Sequence, residues 1–507
     1  MGELGRSAVR LALAVIMGVA IVGLSPGPAQ AAELVIAQGV DAEAVDPHLS
    51  YTTATMNIYL HIFDGLLHRD AGLAIRPALA TAWRLVDDNS WEFDLRPGVT
   101  FHDGSPFTAE DVKFSIERVL DPAFKSQLAP NINAVTRVEV VDPHKVRLIT
   151  KSPYPILPAR LTVFPIVPAK YLREKGDTLF KRRPVGTGPY RFVEWVKHDR
   201  LILEASPGYW GGRPRVDRLI FRPIPEAAGR VAALQAGNVD LITNVPPDLV
   251  APLRGSPNAE VASVPSERVI FIGINPKLGG PTANKKVRQA LNYGVDKQAL
   301  IRFVLGGFGV QIPGLITQDH FGFDPTLAPY PHDPERARAL LAEAGYPNGF
   351  DTTLYAPTGR YLKDREVGEA IAGQLTKIGV RAKVETPEWG TYVQTALAHK
   401  IGPLYLLGWS SQTYDADGVL FSTLYTGNPW AMYSNRDVDA VLLAARSSID
   451  PEVRKGHYRK ALALIRDEAP MIFLHRQVDI YGVSKRIQWK PRSDERIWLV
   501  EAAIKGS

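Results

Sequence analysis

Hydrophobic and polar residues follow one another along this chain in two periods. Alternation with a period of two, or a short apolar run, predicts a strand, whereas apolar residues three or four apart predict a helix. Strands are predicted at 34–37, 91–95, 190–195, 239–242, 269–274, 381–384, 404–407 and 471–474, and as a pair within 129–150. Helices are predicted at 54–67, 108–120, 227–235, 286–305, 333–344, 365–378 and 451–467. Because the two kinds of element are interspersed through the whole chain, the sequence predicts a mixed α/β fold.

Two of the predicted helices carry recognisable end signals. Thr108 and Asp111 have the spacing of a capping box, in which the side chain and backbone of the first turn bond to each other. Asp333 caps a helix that Pro334 begins, and Gly345 lies beyond its end. These local signals fix where each helix starts.

The first thirty-one residues have the pattern of a secretory signal peptide. Arg6 and Arg10 precede an apolar run at 11–24, and Ala29 and Ala31 form an Ala-x-Ala cleavage site. A retained membrane anchor is the alternative, but the apolar run is short for a membrane span. We therefore expect cleavage after Ala31 and export to the periplasm, where the mature chain, which has no cysteine for a lipid anchor, diffuses freely.

Composition narrows the class of protein. With 507 residues, 45% of them hydrophobic, the chain can fill a large core distributed over two or three lobes. The absence of cysteine excludes disulfides, thiolate metal sites and cysteine nucleophiles. The formal charge of +6 comes without any basic run longer than the three residues Lys181-Arg182-Arg183, so nucleic-acid binding is not expected.

Motifs that would indicate an enzyme are missing from the sequence. It has no Gly-x-Ser-x-Gly, His-Glu-x-x-His or P-loop motif and no complete Gly-x-Gly-x-x-Gly. The histidines are scattered, and the two that lie nearest to each other, His61 and His68, are seven residues apart. We therefore expect no catalytic residue, no metal and no cofactor.

A polar and aromatic stretch follows the strand predicted at 404–407. Trp409, Ser410, Ser411 and Gln412 offer a ring, hydroxyl groups and an amide. Ligands of α/β proteins commonly bind at such a strand end, and this mixture of groups suits a polar ligand stacked on a ring. A surface loop with a core tryptophan is the alternative interpretation.

Two carboxylates, Asp415 and Asp417, follow this stretch. A pair of carboxylates can serve acid/base chemistry. In a loop, however, aspartates more often cap helices and form turns.

Several segments resemble one known family. The string FHDGSPFTAEDV at 101–112 is the most specific, and further matches lie at 83–88, 91–99, 186–190, 287–291, 377–380 and 408–409. Together they cover essentially the whole mature chain and resemble the family 5 extracellular solute-binding proteins. That family includes dipeptide-, oligopeptide-, glutathione- and nickel-binding proteins.

The resemblance implies a periplasmic-binding-protein fold of the Venus-flytrap type, with two α/β lobes around a hinge and an extra subdomain inserted in the first lobe. The expected division is a signal peptide at 1–31, a first lobe at 32–268 with the inserted subdomain at about 73–195, a second lobe at 269–478, and a C-terminal return to the first lobe at 479–507.

The resemblance also implies a function and partners. The expected protein is a monomeric, non-enzymatic periplasmic receptor that delivers a peptide or peptide-like ligand to an ABC permease in the inner membrane. The alternative ligands are an opine, a glycan fragment, haem or a nickel chelate. A periplasmic hydrolase or chaperone built on the same frame is the alternative class.

A set of ligand contacts follows from the resemblance as well. In peptide-binding relatives an aspartate just after the Gly-Trp step pairs with the α-ammonium of the ligand, whereas this sequence has Gln412 there. Asp415 or Asp417 would then supply the charge. Arg360 is expected to hold a ligand carboxylate, which arginine binds with two parallel hydrogen bonds. The other expected contacts are Tyr51, Thr52, Thr53 and, at a strand-to-helix corner, Trp389.

Overall fold

The structure, a computed structural model, describes residues 32–505, so the predicted signal peptide at 1–31 lies outside the described residues. The strands are β1 (Glu33–Gln38), β2 (Leu67–Arg69), β3 (Ile75–Pro77), β4 (Ala80–Asp87), β5 (Ser90–Leu95), β6 (Val135–Asp142), β7 (Lys145–Thr150), β8 (Tyr190–Val196), β9 (Arg200–Ala205), β10 (Arg218–Pro223), β11 (Leu241–Ile242), β12 (Ala259–Ile274), β13 (Gly309–Gln311), β14 (Phe350–Tyr355), β15 (Val380–Glu385), β16 (Leu404–Trp409), β17 (Met471–Ser484), β18 (Ile487–Gln488) and β19 (Ala503–Ile504).

The helices are distributed between these strands along the chain. They are α1 (Thr53–Tyr59), α2 (Ala109–Leu120), α3 (Ala129–Ile132), α4 (Leu157–Arg160), α5 (Ala169–Phe180), α6 (Ala227–Gln235), α7 (Pro247–Arg254), α8 (Lys285–Gly294), α9 (Lys297–Ala299), α10 (Pro334–Glu343), α11 (Asp364–Thr376), α12 (Trp389–Leu397), α13 (Ala416–Leu424), α14 (Arg436–Ser447) and α15 (Pro451–Glu468). Within residues 32–505, no helix combines the length and the apolar character that crossing a bilayer requires.

One sheet of eleven strands organises most of the fold. Its strand order is β15-β14-β16-β12-β17-β11-β1-β10-β9-β8, with β13 attached to β17. Parallel pairing occurs on both sides of its centre, where β14 joins β15 and β16, and where β1 joins β10 and β11. Parallel neighbours need long crossover connections, which the intervening helices supply.

Two long antiparallel strands, β12 and β17, join the two parallel regions of this sheet. Their pairing shifts register between Pro265 and Val269, so residues 266–268 leave the regular ladder. The lobe boundaries predicted at 268/269 and 478/479 fall inside these two strands. The boundaries themselves stay a prediction.

The buried apolar side chains form three clusters. The first core surrounds β12, β14 and β16 and includes Leu354 and Leu406. The second core lies around β1, β9 and β10 and includes Leu34 and Leu203. The third core is formed by a separate four-stranded antiparallel sheet, β4-β5-β7-β6, with Phe93 on its central strand and α2 packed against it.

Local end signals predicted the helix boundaries well. In the capping box at the start of α2, the backbone N–H of Thr108 donates to the carboxylate of Asp111 at 2.8 Å. The side chain of Asp333 caps α10, as predicted, because its carboxylate accepts a hydrogen bond from the backbone N–H of Arg336. These contacts involve residues within one turn of each other, so they depend little on the rest of the fold.

Two predicted helices were wrong in extent. The helix predicted at 54–67 ends at Tyr59, because the apolar residues after it are buried in a turn rather than along a helix face. The helix predicted at 286–305 breaks after Gly294, because Asp296 caps a new helical turn with its side chain.

Candidate ligand-binding site

A cavity with an empty volume of about 480 Å³ lies where the C-terminal end of β16 meets the N-terminal ends of α1 and α12. Eight of the predicted contact residues line it: Tyr51, Thr52, Thr53, Arg360, Trp389, Trp409, Ser410 and Gln412. The other lining residues are Gln127, Arg268, Tyr361, Leu407, Gly408 and Trp430. We call it the tryptophan cavity.

Trp409, the last residue of β16, is held in place by two contacts. Its indole Nε1 donates to the carbonyl oxygen of Gly418 at 2.9 Å. Its ring packs edge-on against Trp430, with 5.6 Å between the ring centroids. The half-buried ring is therefore fixed before a ligand binds, which lowers the entropic cost of binding.

A buried carboxylate, Glu267, shapes the loop after Trp409. Its Oε1 accepts hydrogen bonds from the Ser410 hydroxyl at 2.6 Å and from the backbone N–H of Gln412 at 2.8 Å. Burial raises the pKa of Glu267 to about 7. Gln412 has a φ of 55°, in the left-handed region. The side-chain Oε1 of Gln412 has no hydrogen-bond partner among residues 32–505.

Arg360 brings an unpaired positive charge to the tryptophan cavity. Its backbone N–H donates to the carboxylate of Asp364 at 2.8 Å, which fixes the start of α11. Its guanidinium carbon lies 4.8 Å and 5.5 Å from the ring centroids of Tyr361 and Trp389. Its buried Nε has no partner in the described part of the chain, and burial together with the charge of Arg268 lowers the pKa of Arg360. A ligand anion would satisfy this group.

Arg268, in contrast, has its charge balanced inside the protein. Its guanidinium forms a bidentate ion pair with Glu495. It also donates to the carbonyl oxygen of Gly408 at 2.8 Å and to the hydroxyl of Thr53 at 2.9 Å. Among the described residues, no aspartate or glutamate lines the tryptophan cavity. The charge of Arg360 is therefore in excess there, and the cavity favours an anionic group over a cationic one.

Ser411, Asp415 and Asp417 lie outside the lining of the tryptophan cavity. The Ser411 hydroxyl donates to the carbonyl oxygen of Asp415 at 3.0 Å. Asp415 caps α13 by accepting the backbone N–H of Asp417 at 3.0 Å, and its carboxylate pairs with Arg454 at 2.9 Å. The interpretation of these aspartates as helix caps is confirmed for Asp415.

Asp417 is buried between two arginines. Its carboxylate is 2.6 Å from Arg160 and 2.7 Å from Arg446. Burial opposes its ionisation, but the charges of Arg446 and Arg160 outweigh burial and lower the pKa of Asp417 to about 2. The expectation that Asp415 or Asp417 supplies the charge for a ligand ammonium does not agree with these positions, because both carboxylates are already paired with arginines.

A second cavity, with an empty volume of about 450 Å³, adjoins the first and shares Thr53 and Arg360 with it. We call it the amide cavity, because four amide side chains line it: Gln38, Asn57, Asn244 and Gln477. Asp479 and Glu495 also line it. Burial and the neighbouring charge of Glu495 raise the pKa of Asp479 to about 8. Near neutral pH the amide cavity therefore combines neutral amide groups with the charged Arg360 and with Glu495, whose charge Arg268 balances.

Sequence reasoning misses Glu267, Arg268 and Trp430. The first two follow Ser266 inside β12, which the sequence predicts only from Val269. Three consecutive polar residues in the middle of an apolar strand are a signal of a register shift, and that signal is present in the sequence. Trp430 has no comparable signal, because it lies in a connection without a periodic pattern.

The described side chains around the two cavities do not form a metal-binding group. No histidine lines the tryptophan or the amide cavity. Within residues 32–505, no group of three or more histidine or acidic side chains is arranged to hold a metal ion.

Comparison with known proteins gives consistent matches over most of the chain. The family model for bacterial extracellular solute-binding proteins, family 5 Middle, matches residues 74–430. The glutathione-binding protein GsiB of Salmonella typhimurium is 31% identical over 467 residues, which cover 88% of this chain and 89% of that protein.

Two solved structures extend the likeness to three dimensions. The binding protein DppA of Helicobacter pylori, in complex with the peptide STSA, matches this chain with a TM-score of 0.86 and 26% sequence identity. The match covers 93% of this chain and 98% of DppA. AgaA of A. tumefaciens R10, in complex with agropinic acid, has a TM-score of 0.85 and 26% identity, with coverage of 94% and 99%. The predicted α/β binding-protein fold is confirmed, and the chain belongs to the bacterial extracellular solute-binding proteins of family 5.

Proposed function

We propose that this protein is the periplasmic receptor of an ABC importer and that its ligand carries a carboxylate. The observation that carries the proposal is the unpaired guanidinium of Arg360, in a tryptophan-lined cavity without an acidic side chain. The protein acts as a monomer, binds no nucleic acid and performs no turnover. An assay that follows the hydrolysis of candidate peptides tests the last point.

The ligand is peptide-like. Relatives that bind glutathione or the peptide STSA support this assignment. In the tryptophan cavity, Arg360 receives the carboxylate, and the indole rings of Trp389 and Trp409 receive apolar or planar parts of the ligand. Ser410 and Gln412 add a hydroxyl and an amide that fix its orientation.

The end of the ligand at Gln412 is uncharged. A buried ammonium that faces an amide instead of a carboxylate lacks its counter-charge, which is costly in a low-dielectric site. Since Asp415 and Asp417 are paired with arginines, neither replaces the missing charge. Ligands that are blocked or neutral at this end are therefore preferred over free dipeptides.

An opine is the second candidate, and the amide cavity favours it. Its four amide side chains suit the several hydroxyl groups of a sugar-derived chain, while Arg360, shared by both cavities, holds a carboxylate. The complex of AgaA with agropinic acid supports this alternative.

Ligand binding works through closure. Tyr51 packs against the second and third cores, whereas Trp389 and Trp409 belong to the first core or pack against it. A ligand that contacts both sets of residues stabilises the arrangement in which they face one cavity, and a permease can recognise that arrangement.

A thermal-shift screen of the purified protein tests the ligand class. The panel contains an N-acetyl dipeptide, the matching free dipeptide, glutathione and agropinic acid. A ligand present at a hundredfold excess over its Kd stabilises the protein by ~2.7 kcal/mol. The N-acetyl dipeptide or agropinic acid should stabilise more than the free dipeptide. Equal stabilisation by the amide form of the same ligand, which has no carboxylate, would contradict the role of Arg360.

Replacing Arg360 by glutamine is expected to weaken binding of the preferred ligand about thirtyfold, because the lost hydrogen bonds to a charged group are worth about 2 kcal/mol. Isothermal titration calorimetry measures the change. Arg365→Gln is the matched control, because Arg365 lies on α11 outside both cavities and pairs with Glu369 at the surface. If Arg360→Gln binds the ligand as tightly as the wild type, Arg360 contributes to packing and not to ligand binding.

Trp409→Ala is expected to weaken binding by at least ~1 kcal/mol, or about fivefold, without unfolding the protein. The reason is the loss of a fixed ring at the end of β16. Trp409→Phe keeps a ring and should lose less. Calorimetry gives the affinities and circular dichroism reports folding; if Trp409→Ala binds as tightly as the wild type, the ring belongs to core packing.

A further inference from the structure

A third cavity lies apart from the two already described and shares no lining residue with them. Its empty volume, which includes space open to solvent, is about 600 Å³. Aromatic walls come from Tyr209, Trp210 and Trp498, which are half-buried, and the exposed His68 stands at its edge. We call it the Arg496 cavity.

A buried carboxylate, Asp64, fixes one aromatic wall of the Arg496 cavity. It accepts hydrogen bonds from the indole Nε1 of Trp210 at 2.8 Å, the hydroxyl of Thr187 at 2.9 Å and the hydroxyl of Tyr209 at 3.3 Å. Burial raises the pKa of Asp64 to about 6. Because these three donors already occupy its oxygens, Asp64 holds the aromatic side chains in place and is not available to bind a ligand.

Two buried guanidinium groups in the lining have unused donors. Arg69 donates through its two Nη atoms to the carbonyl oxygens of Leu73, at 2.5 Å, and Thr413, at 2.6 Å. Its Nε has no partner within residues 32–505, and neither has Nη2 of Arg496. Both residues are only 8% exposed, and a buried donor without an acceptor is costly.

Positive charge is in excess around this cavity, because three arginines, Arg69, Arg492 and Arg496, line it, whereas the nearby carboxylates are those of Asp64 and Asp494. Arg492 holds the carboxylate of Asp494 with two hydrogen bonds of 3.0 Å and 2.7 Å, which leaves Arg496 at 3.7 Å from the same carboxylate. Arg69 forms no ion pair with any described carboxylate within 4.0 Å. Burial and the charge of Arg496 lower the pKa of Arg69, which agrees with two cations lying near each other.

We propose that the Arg496 cavity binds a small carboxylate with an aromatic or compact apolar body, at a site separate from that of the imported ligand. The carboxylate meets the free donors of Arg69 and Arg496, and the body lies against the rings of Trp210 and Trp498. A cation is repelled by the arginines, and a neutral ligand leaves the excess charge without a partner.

The test uses phenylacetate and its neutral analogue phenylacetamide as probes, with affinities from equilibrium dialysis. Phenylacetate should bind at least tenfold more tightly than phenylacetamide. Arg496→Gln should weaken phenylacetate binding at least tenfold and leave binding of the imported ligand unchanged. Arg360→Gln should leave phenylacetate binding unchanged, which separates this site from the tryptophan cavity and its proposed function.

A second variant keeps the test decisive if Arg496→Gln folds poorly. Leu60→Trp places a larger side chain in the lining of the Arg496 cavity and should remove phenylacetate binding by filling the space. A crystal soaked with phenylacetate should show the carboxylate at Arg69 and Arg496. The proposal is overturned if phenylacetate fails to bind, if phenylacetamide binds as tightly, or if Arg360→Gln instead of Arg496→Gln removes binding.

Discussion

Replacing Asp417 by asparagine is expected to lower the melting temperature by about 3–5 °C. The carboxylate of Asp417 lies between Arg160 and Arg446, and all three side chains are almost fully buried. Removing one partner of a buried ion pair leaves an uncompensated charge and costs about 3–5 kcal/mol. For a chain of this size the entropy of unfolding is roughly 1 kcal/mol per kelvin, which converts that loss into a few degrees. Differential scanning calorimetry measures the shift.

The matched control is the surface pair of Asp70 and Arg76. These side chains are 32% and 57% exposed and lie 2.7 Å apart. Exposed pairs contribute about 0–1 kcal/mol, so Asp70→Asn should change the melting temperature by less than about 1 °C. If the two variants lost the same stability, burial would not be the reason for the effect at Asp417.

The stability that Asp417 contributes should also depend on pH. Its pKa is about 2 in the folded protein and 3.8 as an unperturbed group. A lowered pKa in the folded state means that the contribution is fully present above about pH 4 and is lost as the pH falls towards 2. The difference between wild type and Asp417→Asn should therefore shrink by about 2 kcal/mol over this interval. A difference that stays constant from pH 5 to pH 2 would contradict the ionised state of Asp417.

The role of Asp417 shows why part of the site was not predictable from the sequence. The sequence places Asp415 and Asp417 next to a candidate binding loop, which favours a ligand contact. Their partners are far along the chain, with Arg160 separated from Asp417 by 257 residues and Arg454 from Asp415 by 39. Only the fold brings these side chains together, so the pattern of residues along the sequence cannot predict these ion pairs.

Other features were predictable because they depend on neighbours in the sequence or on the family resemblance. The capping box at Thr108 and the cap at Asp333 involve residues within one turn. Trp409 and Arg360 follow from the position of family motifs, and both line the tryptophan cavity. The break at Asp296 was missed because a helix cap inside an apolar, helix-like pattern looks like an ordinary surface residue.

Replacing Gln412 by aspartate is expected to raise the affinity for free dipeptides at least a hundredfold, or by about 2.8 kcal/mol. The new carboxylate gives the α-ammonium a counter-charge that the wild-type cavity lacks. Aspartate tolerates the left-handed conformation at this position, where φ is 55°. Calorimetry with a free dipeptide and its N-acetyl form measures the change, and the N-acetyl form should lose affinity in the variant.

Gln127→Asp is the matched control, because Gln127 lines the same cavity and undergoes the same change from amide to carboxylate. This change lowers the net positive charge of the cavity, but it does not place a carboxylate at the position of Gln412, which follows Gly408 and Trp409. A small, unspecific gain in dipeptide affinity is therefore expected from it. An equal gain in both variants would show that net charge, and not the position of Gln412, decides the preference.

The wild type itself provides the strongest test of the argument from Gln412. A carboxylate close to it is that of Glu267, whose Oε1 lies 2.8 Å from the backbone nitrogen of Gln412 and whose pKa burial raises to about 7. Glu267 is only half ionised near neutral pH, and it lies outside the lining of the tryptophan cavity. It is therefore a weak counter-charge for a ligand ammonium. Glu267→Gln should then leave dipeptide affinity unchanged. Tight binding of free dipeptides by the wild type, lost in Glu267→Gln, would show that Glu267 supplies the charge and that the ligand is an ordinary peptide.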